Sequence, residues 1–159
     1  MTDILAAAAA SHPTVLVYED EALVAMMVED VLADAGFRAV CAFDGRDGGW
    51  PEPGPEASAA ERPRAVVMDL RLAQGLDGRD VLRRLRERHP AVPAVVVTGF
   101  DPHSPEADLR GLGGPTVRLR KPFECDALLH HLMGVLDTLA RAAVPHNRRA
   151  SDLAGMAAA

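Results

Sequence analysis

The chain has 159 residues with ordinary charged (25%) and apolar (48%) fractions and few aromatics (4%), which fits one domain with a real core. Its net charge of −6 leaves no broad basic surface for wrapping nucleic acid. The opening MTDILAAAAA carries an acid where a leader carries basic residues, and its apolar run is too short for a bilayer, so a cytoplasmic protein with no membrane attachment is expected.

In chain order, residues 1–13 are Ala-rich up to Pro13 and read as a flexible tail. TVLVY (Thr14–Tyr18) is an apolar strand of the kind buried in a parallel sheet. Glu21–Ala35 places Leu23, Met26, Met27 and Leu32 near helical spacing, and Gly36 stands where a C-terminal cap belongs. RAVCAF (Arg38–Phe43) is a second strand, and the Gly- and Pro-rich stretch after it leaves room only for a short helix near Glu56–Glu61. RAVVMDL (Arg64–Leu70) is a third strand. The helix GRDVLRRLRERH (Gly78–His89) stops before Pro90, with Arg83, Arg84, Arg86 and Arg88 as its wet face. PAVVVTGF (Pro93–Phe100) is a fourth strand, followed by a marginal helix over Pro105–Leu112. TVRLRK (Thr116–Lys121) is a fifth strand. A last helix runs from about Glu124 to Ala142 and buries Leu128, Leu129, Leu132, Leu136 and Leu139; residues 144–159 read as a second tail. Cys41 and Cys125 lack metal-site spacing and read as reduced thiols, and the adjacent His130 and His131 point apart on their helix.

This alternation predicts an α/β fold: a doubly wound, five-stranded parallel sheet with helices on both faces, the second and fourth helices short or irregular. Ligands of such sheets bind at the C-terminal edge of the strands. Glu19 and Asp20 end the first strand there, Asp69 the third, Thr98 the fourth and Lys121 the fifth. Neighbouring carboxylates repel one another and resist desolvation, so a cation is expected among them; hard oxygens suit Mg²⁺. An Asp beside such an ion can act as a nucleophile toward a phosphoryl group, with the Lys ammonium and the Thr hydroxyl stabilising the transferring oxygens. Glu21 is expected in the first turn of the first helix, where negative charge suits the dipole.

VYEDE, VVMDLRL, VVVTGF and RKPF, in this order and on these strands, resemble the receiver domain of bacterial two-component response regulators, over residues 14–143. The resemblance implies a flavodoxin-like strand order 2-1-3-4-5. It implies that Asp69 accepts a phosphoryl group from a sensor histidine kinase or a histidine phosphotransfer protein. Asp20, Asp69 and the backbone carbonyl of Arg71 would hold Mg²⁺, with Glu19 acting through a water, while Thr98 and Lys121 would contact the phosphoryl oxygens. Receivers commonly carry Tyr or Phe three residues before the Lys as a switch, and here that position is Arg118. TGF (Thr98–Phe100) partly resembles a subgroup named for Phe-Ala-Thr-Gly-hydrophobic-Tyr, in which the fourth helix is often mobile or lost; Val96, Val97 and Asp101 depart from that motif.

The expected protein is a single-domain response regulator without a DNA-binding domain. It would be no enzyme beyond its own phosphotransfer and dephosphorylation, and would signal to a downstream protein or act as a phosphate sink. Two other readings stay open. One is a degenerate receiver used as a phosphorylation-independent interaction module. The other is a metal-dependent phosphohydrolase, against which Arg71 stands, because it denies the chain an Asp-x-Asp pair.

Overall fold

The structure is a computed structural model and describes residues 12–42 and 62–143. The expected tails, apart from His12 and Pro13, and the short helix near Glu56–Glu61 lie outside the described residues. The described elements are β1 (Thr14–Tyr18), α1 (Ala22–Asp34), β2 (Arg38–Ala42), β3 (Pro63–Asp69), α2 (Gly78–Arg88), β4 (Ala94–Thr98), β5 (Thr116–Arg120) and α3 (Cys125–Ala143). The strands pair in parallel in the order β2-β1-β3-β4-β5. The predicted fold class and strand order therefore hold, with three α-helices among the described residues.

Strand alternation divides the core into two layers. Leu16, Tyr18, Val66, Met68 and Val96 face α2, which contributes Val81, Leu82 and Leu85. Val15, Val17, Val67, Val95 and Val97 face α1 and α3, which contribute Val28, Leu32, Leu128, Leu132 and Val135. Both faces of the central strands are covered, so β1 and β4 are buried at every position and need no polar alternation. Each fully buried Leu or Val contributes about 1.5–3 kcal/mol.

Local signals set the helix ends. Gly36 adopts φ +85°, its N–H donates to the Ala33 carbonyl, and the Phe37 N–H donates to the Leu32 carbonyl, closing α1 as a Schellman motif. Asp77 caps α2 by accepting the Arg79 N–H at 2.9 Å.

Several expectations need correction. The buried face of α1 is Ala25, Val28 and Leu32, while Leu23 and Met26 are exposed. The first two turns of this helix are almost wholly apolar, so their spacing does not single out one face. On α3, Val135 is fully buried, whereas Leu129, Leu136 and Leu139 are only half-buried. Arg86 does not lie on a wet face: it is 6% exposed. All five of its N–H donors are used, on the carbonyls of Val92, Leu112 and Pro115 and the hydroxyl of Thr116. Between β4 and β5 the marginal helix is reduced to a 3₁₀ turn, Pro105–Ala107. Gly111, Gly113 and Gly114 in that connection have φ of +75°, +66° and +61°, which α-helical backbone does not allow.

Candidate functional site at the carboxyl edge of the sheet

The order β2-β1-β3 reverses the direction of winding between β1 and β3, and the crevice beyond their C-terminal ends is where such sheets bind ligands. Glu19 and Asp20 follow β1 directly and Asp69 is the last residue of β3. One carboxylate oxygen from each lies within 4.8 Å of the others. Thr98 ends β4, and Lys121 follows β5. The Lys121 N–H donates to the Thr98 carbonyl at 2.9 Å, which ties the two strand ends together.

The charges are arranged around Lys121. Its Nζ lies 2.7 Å from Glu19 Oε2, 2.7 Å from Asp69 Oδ2 and 3.9 Å from Glu21 Oε1. Asp69 Oδ1 accepts the Arg71 N–H at 2.9 Å, and Glu19 Oε1 accepts the Glu21 N–H at 3.0 Å. Glu19 is 2% exposed, so both its oxygens are held by protein groups, whereas Asp20 faces solvent. Burial pushes the Glu19 carboxyl above its usual range, against the opposing pull of the Lys121 ammonium. Burial also counts against charge on Lys121, but hydrogen bonds to Asp69 and Glu19 outweigh it and hold its pKa above the ordinary lysine value.

A cavity of about 270 Å³ opens over this group, lined by Glu21, Asp69, Arg71, Thr98, Phe100 and Lys121. The Arg71 guanidinium lies 4.9 Å from the centroid of the Phe100 ring and forms part of the rim. Thr98 is buried, and its hydroxyl accepts the Phe100 N–H at 3.1 Å. The hydroxyl keeps its own proton to donate.

The expected residues Glu19, Asp20, Asp69, Arg71, Thr98 and Lys121 are thus brought together. Arg118 is not among the residues lining this cavity; its Nη2 donates to the Ala107 carbonyl in the 3₁₀ turn. Glu21 is the N-cap residue of α1 rather than part of its first turn, and its carboxylate faces Lys121. Gly78 was not foreseen. A Cβ there would meet the Asp69 carbonyl oxygen at 2.1 Å, so the start of α2 is pressed onto the backbone of the central acid. The available signal was a glycine at the first position of a helix, directly after its Asp cap.

Residues 15–133 match the sequence model of the response regulator receiver domain. The chain is 32% identical over 124 residues to the probable transcriptional regulatory protein TcrX of Mycobacterium tuberculosis, covering 77% of this chain and 49% of that protein. It is 35% identical over 132 residues to the alkaline phosphatase synthesis transcriptional regulatory protein SphR of Synechococcus elongatus, covering 77% and 51%. The chain thus spans about half the length of these curated relatives, and 26% of the nitrogen assimilation regulatory protein NtrX of Azorhizobium caulinodans. Among solved structures, a response regulator receiver protein from Sinorhizobium medicae superposes with a TM-score of 0.65 at 26% identity, covering 81% of this chain and 98% of that one. A CheY-like receiver domain protein from Methanospirillum hungatei gives 0.69 at 19% identity, covering 83% and 99%, and supports the fold alone. With its acids, hydroxyl and ammonium at the strand ends where the four motifs place them, the chain belongs to the response regulator receiver domain family of two-component systems.

Proposed function

We propose that Asp69 is the acceptor in a phosphotransfer from a phosphohistidine. The supporting observation is the position of its carboxylate: at the end of a central strand, on the wall of an open polar cavity, 2.7 Å from an ammonium. An Asp69 carboxylate oxygen would attack phosphorus and form an O–P bond. The N–P bond to the donor histidine breaks, its electron pair stays on the imidazole nitrogen, and an acyl phosphate results. Lys121 is within reach of a phosphoryl oxygen on Asp69, and Thr98 has a proton free to donate to a second. Arg71 and Phe100, on the rim, line the route of the hydrolytic water and so bear on the lifetime of the acyl phosphate.

The donor set fits a divalent cation: three carboxylates within 4.8 Å, one of them exposed, are hard ligands that leave room for coordinated water. Asp20, Asp69 and the backbone carbonyl of Arg71 would hold Mg²⁺, with Glu19 acting through a water. When bound, the ion supplies positive charge against the phosphoryl oxygens.

Residues 14–143 form the unit to which this reading applies. Its donor is a sensor histidine kinase or a histidine phosphotransfer protein. Phosphorylation regulates binding of a downstream protein, or drains phosphoryl groups from the kinase, in the cytoplasm. No helix among the described residues is long and apolar enough to cross a membrane. The unit turns over no substrate beyond its own phosphoryl group.

Acetyl phosphate with Mg²⁺ is expected to add one acid-labile phosphoryl group by intact mass, and Asp69→Ala to add none. Equal labelling of the variant overturns the assignment. Absence of both labelling and Mg²⁺ affinity in the wild type leaves the phosphorylation-independent interaction module.

A further inference from the structure

Helix α3 is longer than the sheet it packs on. Its 19 residues run about 28 Å, while the five residues of β4 span about 17 Å. The helix begins after β5, beside the carboxyl ends of the strands, and runs back toward their amino ends. Its last turns therefore pass the edge opposite Asp69. Leu128, Leu132 and Val135 are buried on the sheet, but Leu136 and Leu139, farther along the same face, are only half-buried.

A cavity of about 540 Å³ lies beside this overhang, between α3, the start of β3 and the turn from α2 into β4. Val92, Leu136 and Leu139 give it an apolar wall. Pro63, Pro90 and Pro93 also line it, and their fixed φ angles set its shape before anything enters. The volume falls within the range of small-molecule sites, about 300–1,000 Å³. Its charge is one-sided. Arg64 and Arg88 line it and are exposed, and among the described residues no carboxylate does. That is a local reversal in a chain with 23 Asp and Glu and a net charge of −6.

We propose that this cavity is a binding site for a small amphipathic carboxylate, of the class of a medium-chain fatty acid. The apolar body packs on Val92, Leu136 and Leu139, and the head group pairs with Arg64 and Arg88, whose planar guanidinium groups match a carboxylate in shape and charge. A wholly polar anion would leave the apolar wall wet, and a neutral apolar molecule would leave both arginines unused. An anionic bilayer would repel a chain of this net charge and cannot enter a concave site. The cavity lies at the opposite edge of the sheet from Asp69, so its occupancy is independent of the acceptor reading.

Titration of the full chain with decanoate, followed by methyl NMR and calorimetry, tests the site. Binding is expected to saturate at one equivalent, with shifts at Val92, Leu136 and Leu139. No shift is expected at Val24 or Met27, which line a different apolar cavity beside Glu21. Decanol, with the same chain and no charge, should bind about tenfold more weakly, because a charge-assisted pairing is lost. Arg64→Gln and Arg88→Gln should each weaken decanoate by about the same factor. Both side chains are exposed, so neither change disturbs the core. Equal affinity for decanol and decanoate, or wild-type affinity in both variants, overturns the carboxylate site. Shifts outside the cavity, or no saturation, do the same. If sedimentation shows the wild type self-associating and Arg64→Gln dissociating it, a second copy fills the cavity and the proposal falls.

Discussion

Replacing Lys121 by Met removes the one ammonium that touches both Glu19 and Asp69, each at 2.7 Å, and replaces it with an uncharged chain of similar length. Glu19 is then a buried carboxylate whose Oε2 has lost its partner. The cost has a ceiling, because a carboxyl that cannot be solvated takes up a proton. With an ordinary glutamate value of 4.5, holding Glu19 neutral costs about 3 kcal/mol at pH 7 and less than about 1 kcal/mol at pH 5. The expected destabilisation is therefore at most about 3 kcal/mol near neutrality and shrinks as the solution is acidified.

Glu19 has a raised pKa, so its ionisation disfavours the fold as pH rises through the carboxyl range, and this is felt in full once Lys121 is gone. Lys121 has a raised pKa, so in the wild type its contribution is complete below the ordinary lysine value and is lost only as pH rises through its folded pKa.

The same substitution should tighten Mg²⁺ binding. An ion held by those carboxylates would lie on the order of 5 Å from the ammonium. At the dielectric constant of water, unit and double charges at that distance repel by about 2 kcal/mol, or roughly a 20-fold change in affinity that weakens with salt. Urea unfolding at pH 5 and pH 7 measures the first effect, and calorimetric titration with MgCl₂ the second. A pH-independent loss of stability, or an affinity equal to or weaker than that of the wild type, would overturn this role for Lys121.

Gly78→Ala puts a Cβ 2.1 Å from the Asp69 carbonyl oxygen, a backbone atom that cannot swing aside. It should cost about 3 kcal/mol in urea unfolding, at the upper end for overpacking, and lower the rate of acetyl phosphate labelling. Arg86→Lys keeps the charge but supplies three donors where five are used, so it should lose about 3 kcal/mol and behave much like Arg86→Met in thermal unfolding. Cys41 has its thiol pushed up to about 12 by burial and by the neighbouring Glu29. Its alkylation by iodoacetamide, followed by peptide mass, should stay slow through about pH 9 in the native protein and become fast in urea.

The acidic site was legible in the sequence because its chemistry depends on side-chain identity at strand ends. Tyr18, Asp69 and Arg120 close their strands within one residue of the expected boundary and Thr98 within two, and a parallel sheet aligns those ends on one edge. An acid, a hydroxyl or an ammonium at such an end has few substitutes, so each leaves a visible mark. The face of α1 was not legible, since Leu23, Val24, Met26 and Met27 compete with Ala25 and Val28, and only the packing against β1 and α3 decides among them.

The hold on the connection between β4 and β5 was hidden for a different reason. Its contacts run from arginine side chains to backbone carbonyls, and every residue has a carbonyl, so Pro105, Ala107, Leu112 and Pro115 carry no sign of being acceptors. Arginine on α2 reads as solvated charge unless a glycine elsewhere makes room for it, as Gly114 does for Arg86. The positive φ values of Gly111, Gly113 and Gly114 rule out helix over those residues, so the Leu112 and Pro115 carbonyls have no helical donor and are held by Arg86 instead.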